Sequence, residues 1–409
     1  MFWEKEGKLI YSYDGETVCI EAWGKDALRV RVTKNRSFTG RDWALEAKDA
    51  HAGEVEIFED PSAKGGAFAN MYEGTDTSYG KITNGKLHAV IDSGSVITFY
   101  HEDGRVLLKE HFRRLRDEES MPLNIMGREY SNGVGDNFRI VARFVARKGE
   151  KIFGMGQYQQ HELDLKGCML ELAQRNSQVS VPFYLSSIGY GFLWNNPGVG
   201  QVMFANNGTE WVTESGKEID YLVIAGDTPA EIEENYMTLT GKPPMMPEYG
   251  MGFWQCKLRY WNQEQLLSVA RKYKELGVPL DVIVVDFFHW TKQGEFKFDP
   301  KYWPDVPGMC RELKEMGIQV VVSVWPTVDI YSENFEEMKE KGYLVRTEHG
   351  VPLTMLCGGN EVFFDATNPD ARTYVWEKIK KNYYDQGAKL FWLDVAEPEY
   401  RGYDFKNYR

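Results

Sequence analysis

At 409 residues the chain has room for two to three domains, and its 43% hydrophobic residues supply a core for each. Lys+Arg 48 against Asp+Glu 61 leaves a net charge of −13, which repels nucleic acid and anionic membrane and argues against a phosphate-tracking function. The five cysteines are scattered, odd in number and never in C-x-x-C spacing, so a disulfide framework and a zinc site are both disfavoured.

The first residues, MFWEKEGKLIYSYDGE, carry charges where a signal peptide needs an apolar centre, and no apolar run reaches the roughly 18 residues of a membrane span. A cytoplasmic protein without metal or cofactor is the expectation. Aromatic residues make up 14% of the chain. Flat rings suit the C–H faces of sugars, but they also fill cores and strands, and composition alone favours the second use.

The first 240 or so residues read as antiparallel β. Leu28-Arg29-Val30-Arg31-Val32 alternates apolar and polar with the period of 2 of a half-buried strand. Similar runs cover residues 17–23, 86–91, 95–100, 138–145 and 178–185, with turn pairs Asp103-Gly104 and Asn132-Gly133 between some of them. Many short strands separated by turns predict a sandwich. A helix over 229–240 is closed by Lys242-Pro243-Pro244, because proline cannot continue it. The first domain is therefore predicted over 1–244.

Residues 245–409 alternate strand and helix. Strands are predicted over 249–256, 281–288, 319–325 and 389–393, and helices over 262–276, 308–316, 332–341 and 369–386. The DVIVVDFF run, apolar almost throughout, suits a strand covered on both faces. Such an alternation gives a parallel sheet, and without a G-x-G-x-x-G or phosphate loop a (β/α)8 barrel is preferred over a nucleotide-binding sheet. About four β/α units, the first half of the barrel, fit in the chain.

Barrel enzymes place their chemistry at the C-terminal ends of strands. Those ends carry Asp286 with Phe287, Phe288, His289 and Trp290; then Trp325; then Trp392, Asp394 and Glu397. Carboxylates can grip hydroxyls or attack an anomeric carbon while aromatic rings pack on the sugar, and glycoside hydrolysis uses two carboxyl groups. An Asp after a strand also serves as a helix cap or turn former, but the same chemistry at three strand ends favours a site. His289 has no histidine partner at i+4 and is assigned to packing or the rim. Cys256 is assigned as a small buried residue.

At these residues the sequence resembles glycoside hydrolase family 31, in the form of its α-xylosidases. The likeness rests on FWLDVAEPEY (391–400), on DVIVVDFFHWTKQGEFKFDPKYWPD, on VSVWPTVD and on FFDATNPDARTYVW. In the first half it rests on KIFGMGQYQQHELDLKG and VPFYLSSIGYGFLWNNPG, which look like the family's galactose-mutarotase-like sandwich.

The resemblance implies a metal-free, retaining exo-α-glycosidase acting on an α-xyloside such as a xyloglucan oligosaccharide. Asp394 is its expected nucleophile. Asp286, Trp325 and Trp392 are expected to line the sugar subsite, with Glu397 touching substrate or stiffening its loop. Phe287 is the candidate plug for the space of a C6 hydroxymethyl group. The family's general acid/base lies on a later barrel strand and is expected outside 1–409. The chain alone is therefore expected to be inactive and poorly soluble, with an open sheet edge that invites association, a homo-oligomer among the outcomes. Alternatives are an α-glucosidase or α-glucosyltransferase of the same family and a non-catalytic sugar-binding chain.

Overall fold

The structure, a computed structural model, describes residues 1–46, 49–59, 78–92, 94–111, 126–347, 350–354 and 360–397. The chain divides between Pro243 and Pro244 into two compact units.

The first unit is mostly antiparallel sheet. Its nine-stranded sheet runs Phe2–Lys5, Lys8–Tyr13, Glu16–Trp23, Ala27–Thr33, Ile219–Ala225, Tyr190–Trp194, Val179–Ser186 and Ile152–Gln157, with Ala50–His51 paired beside Glu16–Trp23. Two five-stranded sheets, drawn from residues 54–109 and 128–216, complete it. Alternation explains how they pack. Leu87, Ala89 and Ile91 are buried while His88 and Val90 between them are only partly so. Ile20, Val30, Ala89, Phe99, Ile140 and Trp211 then meet in one core shared by all three sheets.

The two turn pairs read from the sequence close hairpins. Gly104 N–H donates to His101 O at 2.9 Å, and Gly133 N–H donates to Asn137 O at 2.9 Å. Much of the aromatic content goes into this core. Trp194 stacks on Trp211 at 5.5 Å and Phe192 on Trp211 at 5.2 Å, all three fully buried.

A buried charge sits within the same unit. The Arg29 guanidinium lies 4.6 Å from the Trp23 ring and donates to both Asp220 oxygens at 3.0 and 2.7 Å. It also donates to Asp42 Oδ1 at 2.8 Å, and Asn195 supplies a further donor to Asp220. Burial pushes the Asp220 carboxyl up to about 6, against the pull of Arg29. The helix Pro229–Thr240 forms as the sequence predicts, with Thr228 Oγ1 accepting from Glu231 N–H.

The second unit holds a four-stranded, all-parallel sheet in the order Trp254–Gln255, Val282–Val285, Gln319–Val324, Leu390–Leu393. The helices Gln263–Glu275, Val306–Glu315, Phe335–Glu340 and Pro369–Asn382 lie between these strands in sequence. Asn262, Asp305 and Asn368 each cap a helix start by accepting a backbone N–H. Gly277 (φ 65°) and Gly317 (φ 74°) end two helices in the left-handed conformation, and the next residue donates back to Tyr273 or Leu313.

Strand residues alternate between two environments. Ile283, Val285, Val320, Val322, Val324 and Phe391 join the core with the helices. Val282, Val284, Val321 and Leu390 face the other way. Among the described residues no helix is long and apolar enough to cross a membrane.

Two expectations change and one element is new. The predicted first strand over 249–256 is a 3₁₀ turn at Glu248–Met251 followed by only two strand residues. Phe253 N–H is taken by Asp281 Oδ2 at 3.0 Å, and a Cβ on Gly252 would collide with that carboxyl. The second strand stops at Val285 rather than Phe288, because Asp286 Oδ1 captures the Phe287 N–H and Phe288 takes φ 59°. An antiparallel pair, Thr327–Asp329 with Glu361–Phe363, was not foreseen.

Replacing Asp220 with Ala strands most of a buried guanidinium's charge. Chemical denaturation of the variant is expected to show a loss of about 3 kcal/mol in the first unit, and a loss below about 1 kcal/mol would contradict that role.

Candidate active site

The sheet's alternation selects which side chains can meet. Residues 282, 284 and 286, then 321, 323 and 325, then 390, 392 and 394 share the face turned away from the helices. Asp286, Trp325, Trp392 and Asp394 therefore leave adjacent parallel strands on one side. Val324 is in register with Leu393, which sets Trp325 level with Asp394.

Trp325 reaches Asp394. Its indole Nε1–H donates to Asp394 Oδ2 at 3.2 Å, and Val395 N–H donates to Oδ1 at 2.9 Å. Asp394's own N–H donates to Val324 O at 3.1 Å, tying the carboxylate to the end of the third strand. Both carboxyl oxygens are thus oriented by donors. Val395 holds φ 55°, a strained choice for a β-branched residue.

Asp286 is built similarly. Phe287 N–H donates to its Oδ1 at 2.7 Å, the Cys256 thiol donates to its Oδ2 at 3.4 Å, and Phe288 follows at φ 59°. Aromatic rings link the two carboxylates. Phe287 stacks on Trp325 at 5.5 Å and 24°, while Phe288 and Trp290 meet Trp325 at 6.4 and 5.7 Å. Phe288 remains 53% exposed.

Trp392 shares the face but lies in an open apolar cleft with Tyr249, Trp254 and Leu390. Glu397 is partly buried three residues beyond Asp394. The structure brings Asp286, Phe287, Trp325 and Asp394 together and leaves Trp392 and Glu397 outside that contact chain.

His289 belongs to packing, not to the rim, at 1% exposure. A carbonyl can only accept, so Nδ1–H donates to Asp286 O at 2.9 Å. Nε2 then accepts from the Tyr383 hydroxyl at 2.9 Å. Burial pushes its pKa down to about 4, which keeps it neutral. Among the described residues no group of three or more His, Cys, Asp and Glu is placed to hold a metal ion.

Cys256 requires a correction: it is exposed, not buried. It stands just after the first parallel strand, so the same strand-end rule that found Asp286 would have found it. The signal for Trp290 and Phe288 was their place after Asp286; their contact with Trp325 depends on the loop's fold.

Comparison with known proteins gives the family. Residues 243–408 match the glycosyl hydrolases family 31 TIM-barrel domain, and residues 17–202 match that family's N-terminal galactose mutarotase-like domain. An uncharacterized family 31 glucosidase of Pseudescherichia vulneris is 45% identical over 99% of this chain and 75% of its own length. The chain belongs to glycoside hydrolase family 31.

This family 31 chain is also 30% identical to α-xylosidase A of Aspergillus niger, over 96% of the chain and 53% of that protein. The crystal structure of an α-xylosidase from a soil metagenome, complexed with xylose, superposes with a TM-score of 0.90 at 48% identity. That match covers all of this chain and 59% of the metagenome chain. The chain thus spans somewhat over half the length of these two xylosidases and three quarters of the P. vulneris protein. The second unit is accordingly a partial barrel domain that follows a mostly sheet domain.

The neutral His289 gives a pH signature. Its folded pKa lies below the ordinary 6.5, so the unfolded chain binds the proton more readily between about 6.5 and about 4. Its contribution to stability is complete above that window and declines as pH falls through it. Histidine NMR should show a neutral ring protonated at Nδ1 still present at pH 5.5; titration near 6.5 would contradict the buried strut.

Proposed function

We propose that the chain carries the nucleophile side of a retaining, exo-acting α-glycosidase that releases α-linked xylose from xylosides such as xyloglucan oligosaccharides. The observation that carries this reading is Asp394, oriented by Trp325 and Val395 on the sheet face it shares with Asp286. Family membership and the likeness to two α-xylosidases support it.

In this reading the Asp394 carboxylate attacks the anomeric carbon. A new C–O bond forms as the glycosidic C–O bond breaks, and the leaving oxygen takes a proton from a separate acid. Water then attacks the same carbon, gives its proton to that group and releases Asp394, which retains the configuration. The acid/base stands about 5–5.5 Å from the nucleophile in such enzymes. By resemblance to the family, this group belongs to a later barrel strand. Asp286 binds sugar hydroxyls, and Phe287 with Trp325 forms an aromatic wall beside them. No cofactor takes part in this reaction.

Treating the full-length enzyme with a 5-fluoroxylosyl fluoride trap should label Asp394 in peptide mass spectrometry. A label on any other residue would overturn the assignment.

The P. vulneris relative is described as a glucosidase, which makes an α-glucoside the competing substrate. Xylose lacks the C6 hydroxymethyl group, and a ring filling that volume discriminates by a few kcal/mol at most. The full-length enzyme should prefer p-nitrophenyl α-xyloside to the α-glucoside. Phe287→Ala should narrow that preference about tenfold. A wild-type preference for the glucoside would refute the xylosidase reading.

A further inference from the structure

Asp286 is held at three points from three directions. Phe287 N–H takes one carboxyl oxygen, the His289 imidazole takes the backbone carbonyl, and the Cys256 thiol takes the other carboxyl oxygen at 3.4 Å. The first two belong to Asp286's own loop. The third comes from the neighbouring strand, whose Gln255 is in register with Ile283. Among the described residues, this hydrogen bond is the one that ties the carboxylate to a second element of the sheet.

We propose that Cys256 is a positioning residue for Asp286, its protonated thiol fixing which carboxyl oxygen is presented to the sugar. The proposal rests on the reading of Asp286 as the sugar-binding carboxylate. Partial loss of water around the sulfur of this otherwise exposed residue, together with the neighbouring Asp286 charge, raises the Cys256 thiol to about 11, so it stays an S–H donor at every pH near neutral. That state suits a donor and is wrong for a nucleophile, which needs the thiolate. The thiol's second neighbour is Lys257 O at 3.6 Å, another acceptor, so the single proton is shared between two acceptors and either contact keeps the side chain in place. Sulfur is a weak donor, and its benefit is geometric: the contact holds Oδ2 on the side of the first parallel strand.

Substitutions separate this from a packing role. In the full-length enzyme, Cys256→Ala should raise KM for p-nitrophenyl α-xyloside about fivefold to tenfold with kcat within about twofold and an unchanged melting temperature. Cys256→Ser, which keeps a donor, should stay within about twofold of wild type in both constants. Asp286→Asn serves as the control, and the double variant Cys256→Ala with Asp286→Asn should cost little more than Asp286→Asn alone, since the partner is already impaired.

If Asp286→Asn leaves KM unchanged, the reading of Asp286 falls and this proposal falls with it. If Asp286→Asn raises KM while Cys256→Ala does not, or while Ser fails as badly as Ala, the proposal alone is overturned. Additive losses in the double variant overturn it as well.

Discussion

A parallel strand backed by helices has only one face left for anything else. Its side chains alternate, so the face turned from the helices receives every second residue, and the register between strands decides which of those residues stand level. Asp286, Trp325 and Asp394 occupy such positions on adjacent strands, and the valines interleaved with them are committed to the helix-side core. Slipping the second strand by one residue would put Val285 where Asp286 stands and turn the carboxylate toward the apolar helix-side core. The site therefore depends on the core behind it. The capped helices and their glycine stops matter because they hold each strand at its proper level.

The aromatic residues divide along similar lines. In the first unit they close a core between sheets, with Trp194, Trp211 and Phe192 stacked and sealed from solvent. In the second unit another group lies at strand ends, where Phe287 leans on Trp325 and Trp325 binds a carboxylate. One residue class thus serves two ends, and composition could not separate them. Position relative to a strand's end does.

Much of this was legible in the sequence because it is local. Alternation found most of the sheet strands it named, Lys242-Pro243-Pro244 marked the end of the first unit's helix, and the strand-end rule found Asp286, Trp325 and Asp394. What escaped depended on contacts between distant segments. The first parallel strand shrank because Asp281 binds Phe253 N–H, twenty-eight residues earlier in the chain. Cys256 looked like core filler because nothing around it in sequence announces Asp286, thirty residues on. His289 gained its role only through Tyr383, ninety-four residues away.

The two left-handed residues beside the carboxylates set a limit on improving this protein. Phe288 and Val395 each hold a backbone shape that costs about 1–3 kcal/mol and that glycine would adopt freely. A selection for heat resistance would find those two places early, since glycine there removes strain. Yet glycine would also let the chain relax into other shapes, and the amide that orients Asp394 belongs to Val395 itself. Durability and aim are in competition within a single peptide unit. A laboratory lineage bred for endurance would drift toward a sturdier chain whose Asp394 carboxylate points less surely.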